Sequence, residues 1–198
     1  MFVRAHGLAR AGAMRALAEQ VSATTPDLIA ISEIDDGGAL AVATRFDLQW
    51  AYRGGQAILW NARLAPRSVE ESYLPPALPA LQWRGLLRVD LRIGDVELSV
   101  FSTRLATDRS RIRDLRFVRS VLRRDRMSRA ILLVTNPPNR GSAAFTDLGF
   151  AARCESDASE LLLAGRGCEL RPSVEIAAGN VGSQIIARVW ARSSEDAP

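Results

Sequence analysis

Lysine is missing from this chain altogether; all 26 basic residues are arginine. Histidine is nearly missing too, with His6 its one instance, and Cys154 and Cys168 are the 2 cysteines. Each scarcity narrows the function. Two cysteines without a companion pair offer no zinc-site spacing and are too few for a disulfide scaffold, so they read as thiols in or near the core. A lone histidine leaves one ordinary general base for proton transfer near neutrality. No apolar run approaches the about 20 residues of a membrane helix. Arg4, Arg10 and Arg15 interrupt the stretch where a secretory leader would carry its apolar segment. The expectation from these absences is a cytoplasmic protein with no membrane partner.

What is present is ordinary globular material. The 198 residues are 47% hydrophobic and 24% charged, enough for one sizeable core and too few for two. Residues 1–192 read as a single domain and 193–198 as a short polar tail. A formal charge of +4 permits nucleic-acid binding without demanding it. Arginine used to the exclusion of lysine, beside so many alanines, points to genome composition rather than to a partner.

Hydrophobic spacing divides the chain into elements. Residues 2–5 form a short edge-like strand, and residues 10–23 place Met14, Leu17, Ala18 and Val21 at helical spacing. Thr25-Pro26-Asp27 stops that helix. Leu28 to Ile31 is an apolar run suited to burial on both faces, and it ends at Ser32-Glu33. Asp35-Asp36-Gly37-Gly38 reads as a turn, with a short helix at 39–45. Residues 48–52 and 56–60 read as paired strands around Arg53-Gly54-Gly55. Residues 68–74 form another strand, followed by a loop through Pro75, Pro76 and Pro79. Strands at 85–93 and 96–103 flank a Gly94-Asp95 turn.

Residues 108–128 make the clearest helix. Leu115, Val118, Val121 and Leu122 share one side, with Arg109, Arg113, Arg116, Arg123 and Arg124 opposite. Asp108, Asp114 and Asp125 are interspersed, which reads as a solvated face. Residues 131–135 form a buried strand and 143–148 a helical turn. Strand-like pieces near 160–164, 172–177 and 184–191 close the chain. Helices interleaved with strands and hairpins predict an α/β (α+β) four-layer sandwich, two mixed β-sheets packed face to face with helices on the outside.

Local wording narrows this further. The segments "PDLIAISEI" (26–34), "GQAILWN" (55–61), "LLRVDLRIGDVELSVFSTRL" (86–105), "AILLVTNPPN" (130–139) and "NVGSQIIARVWA" (180–191) follow one another in a telling order. The series resembles the endonuclease/exonuclease/phosphatase, or deoxyribonuclease-I-like, superfamily over nearly the whole chain. That resemblance implies hydrolysis of phosphate esters with Mg or Mn. Carboxylates hold the metal, a histidine with an acidic partner activates water, and amide and histidine side chains bind the phosphoryl oxygens.

Position by position, the resemblance keeps little of that chemistry. Glu33 stands for the metal-binding glutamate, though it also suits a solvated carboxylate opening a turn. Arg104 replaces the histidine of the central hairpin, and an arginine donates to phosphate but cannot exchange protons near neutrality. Where the family writes Gly-Asp-Phe-Asn after an apolar strand, its aspartate falls on Thr135 and its asparagine on Pro137, with Asn136 and Asn139 close enough to supply an amide by a shift of register. The Asp-His pair of the last strand becomes Ser183-Gln184. His6 lies near the place of an N-terminal asparagine, and is otherwise a hydrogen-bonded structural residue.

The expectation is a degenerate, non-catalytic domain with a binding or assembly role, needing no cofactor. Two rivals stand beside it. One is a divergent Mg-dependent phosphodiesterase, phosphatase or nuclease rebuilt on His6, Asn136 and Asn139. The other is a nucleic-acid-binding module using Arg104 and the 108–128 helix.

Overall fold

A computed structural model of the chain describes residues 2–6, 18–19, 22, 26–74, 85–94, 96–107, 109–125, 130–136, 141–150, 152–156, 160–165, 168–171 and 185–191. In chain order its strands are β1 (Phe2–His6), β2 (Leu28–Ser32), β3 (Leu48–Arg53), β4 (Gln56–Asn61), β5 (Ala65–Tyr73), β6 (Gly85–Ile93), β7 (Val96–Thr103), β8 (Ala130–Thr135), β9 (Ala152–Ser156), β10 (Glu160–Ala164), β11 (Cys168–Arg171) and β12 (Ile185–Ala191). Helix α1 (Asp36–Phe46) follows β2, α2 (Arg111–Arg124) follows β7, and a 3-10 helix spans Gly141–Leu148.

The strands form two six-stranded sheets, ordered β11-β12-β1-β2-β4-β3 and β5-β6-β7-β8-β10-β9. The β1–β2 and β7–β8 pairs are parallel, while β2–β4, β6–β7 and β8–β10 are antiparallel. Both sheets are therefore mixed.

Period-two alternation explains the packing. Leu87, Val89 and Leu91 of β6, with Val100 and Leu132, meet Leu28, Ala30, Ile58 and Trp60 of the other sheet in the central core. The opposite face of β2, Ile29 and Ile31, packs under Ala39, Val42 and Ala43 of α1. Phe101, Ile131 and Leu133 lie under Val118 and Leu122 of α2, with Phe145 and Phe150 beside them. Helix, sheet, sheet and helix make the four layers that the spacing predicts.

Several boundaries differ for physical reasons. Asp35-Asp36-Gly37-Gly38 is a helix start rather than a turn: Asp35 is the N-cap, and its Oδ1 accepts from the Gly38 N–H at 2.6 Å. The strand read at 68–74 begins earlier, at Ala65, and tolerates Pro66 because β5 is a sheet edge with a register shift between Pro66 and Ser68. The arginine-rich helix spans 111–124 rather than 108–128. Ala152–Ser156 forms a strand with no apolar alternation of its own, through antiparallel pairing with β10. A strand lies at Cys168–Arg171, whereas 172–177 is outside the described residues. Of the helix expected at 10–23, residues 18, 19 and 22 are described and helical.

Where the outer face of β5–β6–β7 is polar, ion pairs take the place of apolar cover. Asp90 lies cross-strand between Ser68 and Ser99. It accepts from Ser68 Oγ at 2.6 Å and from Arg88 Nε at 2.8 Å, and from Ser99 Oγ as well. Arg88 also reaches Glu70 at 3.3 Å and Asp125, beyond the end of α2, at 3.5 Å, and lies over the Phe101 ring at 5.4 Å. Burial by itself would raise the Asp90 carboxyl, but hydrogen bonds from Ser68, Ser99 and Arg88 and the guanidinium charge outweigh it and hold it below the ordinary aspartate range.

A carboxyl lowered on folding stabilises the fold above its unfolded value, near about 4, and that contribution is lost as pH falls through the folded value. Asp90→Asn is thus expected to cost about 1–3 kcal/mol at neutral pH and to flatten the fall of Tm below about pH 4. Thermal melts of both proteins across that range check this, and parallel curves would refute it.

Candidate functional site

Parallel pairing brings the carboxyl ends of four strands to one edge of the sandwich, the usual place for a site in sheets with parallel strands. On one sheet, His6 at the end of β1 is in register with Ser32 at the end of β2, and Ser32 is opposite Gln56 of β4. On the other, β7 ends at Thr103 beside β8, which ends at Thr135. The residues just beyond, Glu33 and Arg104, meet across the gap in an ion pair through Arg104 Nη1 and Glu33 Oε1.

Beneath that pair the two sheets are joined by a buried hydrogen bond, Ser102 Oγ donating to Gln56 Oε1 at 3.0 Å. The chain leaving β7 is then pinned residue by residue. Thr103 Oγ1 donates to the Gly85 carbonyl at 3.0 Å. Asn136 takes both backbone polar groups of Leu105: its Oδ1 accepts from Leu105 N at 2.6 Å, and its Nδ2 donates to Leu105 O at 3.0 Å. Asp114 of α2, fully buried, accepts from Ala106 N at 2.8 Å. Arg104 is therefore presented from a fixed backbone.

Glu33 is held by strain as well as charge. Its φ of 56° lies in the left-handed region, which costs a non-glycine residue about 1–2 kcal/mol. The neighbouring Ile34 N–H donates to Gly55 O at 3.5 Å, and Asp35 caps α1. With 45% and 29% of their side chains exposed, Glu33 and Arg104 form a pair worth at most about 1 kcal/mol. Stability alone gives little reason for this geometry.

Of the residues singled out in the sequence, the structure joins Glu33 to Arg104 and places the backbone of His6 on the strand next to Glu33's. Thr135 is buried and donates to Asn136 O at 3.3 Å. Both amide groups of Asn136 are engaged by Leu105. Pro137, Asn139, Ser183 and Gln184 lie outside the described residues. Sequence reasoning passed over Gln56 and Ser102, and it read Asp114 as part of a solvated face where the structure buries it. Asp114 carried a signal, because it shares the four-residue spacing of Val118 and Leu122 and so belongs to the buried side of the helix.

The donor set suits a divalent cation poorly. Among the described residues, no three His, Cys, Asp or Glu side chains gather where they could hold a metal, and the Glu33 carboxylate faces a guanidinium. Nor is there an activated thiol at Cys168, since burial pushes it up to about 12 against a weaker opposing hydrogen bond with Ile131.

No protein-family model and no curated protein matches the chain. Solved structures do. A functionally unknown conserved protein from Enterococcus faecalis V583 aligns with TM-score 0.75 at 10% identity, covering 96% of this chain and 100% of that one. A mannosyl-6-phosphatase of Bacteroides thetaiotaomicron aligns with TM-score 0.71 at 10% identity, again over 96% and 100%. TDP2 of D. rerio, complexed with a single-strand DNA product, aligns with TM-score 0.68 at 12% identity over 96% and 98%. The fold is shared with these proteins and with an endonuclease/exonuclease/phosphatase of Bacteroides vulgatus.

Replacing Asn136 by alanine leaves a buried N–H and C=O of Leu105 without partners. The expected loss is about 2–4 kcal/mol in urea unfolding. A loss under about 0.5 kcal/mol would mean that the amide does not hold this loop.

Proposed function

We propose that the chain is a non-catalytic domain on the endonuclease/exonuclease/phosphatase fold, with a binding or assembly role in place of hydrolysis. The Arg104–Glu33 ion pair carries this reading. In the resemblance drawn from the sequence, Glu33 stands where the metal is held and Arg104 where a histidine takes part in the chemistry. A fixed guanidinium against that carboxylate supplies positive charge, but it cannot take a proton from water near neutrality. Removing one general base costs about 10²–10⁴ in rate, and the segments that carry the base, its partner and the second aspartate in the family read Gln184, Ser183 and Thr135 here.

Binding is compatible with what remains. One neighbour in structure holds a DNA product and another is a sugar phosphatase. A partly exposed arginine at the strand ends keeps an affinity for such phosphate anions without the means to cleave them. This reading needs no cofactor.

A second reading, a divergent Mg- or Mn-dependent phosphoesterase, draws on one observation: His6 is in register with Ser32, next to Glu33. It supplies a base from the neighbouring strand. It gains little from Asn136, whose amide is committed to Leu105.

Purified protein with Mg²⁺ or Mn²⁺ is expected to leave phosphodiester, phosphomonoester and nucleotide substrates at the background rate. Metal-dependent turnover that disappears in both Glu33→Ala and His6→Ala would overturn the non-catalytic reading in favour of the second.

A further inference from the structure

Helix α2 and the residue pair before it display Arg109, Arg113, Arg116, Arg123 and Arg124, all exposed. At 100° per residue these fall within about 60° of one line along the helix, and from Arg113 to Arg124 the line runs about 16 Å. The sequence sets acids among them, which suggests mutual neutralisation, but the structure turns two of them, Asp114 and Asp125, inward. Asp114 is fully buried on Ala106 N, and Asp125, 8% exposed, faces Arg88. No glutamate occurs between residues 98 and 154 to form the usual pairs at four-residue spacing. Asp147 meets Arg119 and Arg123. Among the described residues, no carboxylate is paired with Arg109, Arg116 or Arg124.

Helix stability does not account for the pattern. Cations help near a helix C-terminus, as Arg123 and Arg124 do, but oppose the macrodipole near its N-terminus. Arg109, just before the N-cap, and Arg113, in the first turn, stand at that unfavourable end. A concentration of arginine held there against the helix field suits an external polyanion.

We infer that the outward face of α2 is a docking surface for the phosphate backbone of double-stranded nucleic acid, read without regard to sequence. Guanidinium groups bind phosphate through paired donors, and a row of them matches a regular line of phosphates. A single strand would call for exposed aromatic rings on which bases stack, and the large hydrophobic side chains exposed among the described residues, Leu40, Val69, Ile93 and Ile112, include none. A membrane surface would call for an apolar strip beside the charge, and on this helix Ile112 alone is strongly exposed, at 62%. The surface lies on an outer layer and extends the binding role proposed above without depending on the loss of hydrolysis.

The test is binding of the full chain to a short fluorescein-labelled DNA duplex, followed by anisotropy from about 50 to about 200 mM salt. The wild type is expected to bind with a steep salt dependence. Arg109→Gln/Arg116→Gln/Arg124→Gln is expected to lower the slope of log affinity against log salt by about 2–3 and to weaken binding at least about ten-fold. A control with the same loss of charge, Arg45→Gln/Arg67→Gln/Arg92→Gln, is expected to keep the wild-type slope. Circular dichroism melts confirm folding, and Arg116→Gln alone, expected to lower the slope by about 1, serves if the triple variant does not fold. Absence of duplex binding, equal losses in the control, or tighter binding to single-stranded DNA or to phosphatidylserine vesicles would each overturn the proposal. Cleavage of the duplex with Mg²⁺ would instead count against the non-catalytic reading and leave the docking surface standing.

Discussion

The packing of Leu28, Ile58 and Trp60 from one sheet against Leu87, Val89 and Leu132 from the other fixes where the strands can end. Two sheets pressed together in this way leave no water between them, so a polar group entering the gap must find its partner inside it. Ser102 and Gln56 do so across the interface. Their hydrogen bond ties the two sheets directly under the edge where Glu33 and Arg104 meet. A shift by one residue in either sheet would move it out of register and bury two polar groups unpaired. The dry core thus sets the register, and the register sets the candidate site.

The edge is stiff for related reasons. Thr103, Asn136 and Asp114 satisfy successive backbone groups around the chain that carries Arg104 away from β7. These side chains are polar and buried, and each has a backbone partner. Hydrogen bonds to neighbouring peptides make Asn136 a poor donor to a ligand. A residue of the right type at nearly the right sequence position can be unavailable because the fold has already used it.

Much of the fold was legible because the strands carry their own evidence. The continuous run at 28–31 suits a strand buried on both faces, and the alternation through 86–93 suits a strand buried on one. Ala152–Ser156 was not legible, since its strand character comes from β10 across the ladder. The Asp35–Gly38 stretch was misread because an aspartate before glycines suits a turn and an N-cap equally well until the following helix is seen. Glu33 and Arg104 could be named as candidates from order and wording, but their contact belongs to two different sheets and could not be read from either segment. The acids of α2 were the most misleading. Their polarity suggested solvent, while Asp114 and Asp125 satisfy backbone and guanidinium groups inside.

The ion pair at the strand ends also bears on how such a domain stays folded. A site that gathers several carboxylates for a cation carries their mutual repulsion whenever the cation is away. Here the Glu33 carboxylate faces a guanidinium joined covalently to the chain, so its neutralising charge is always present. The strained φ at Glu33 persists under this arrangement. The surrounding loop is held from both sides, by Ile34 on Gly55 and by the Asp35 cap, and this can impose an unfavourable backbone conformation without any ligand. Arg104 thus neutralises Glu33 from within the chain.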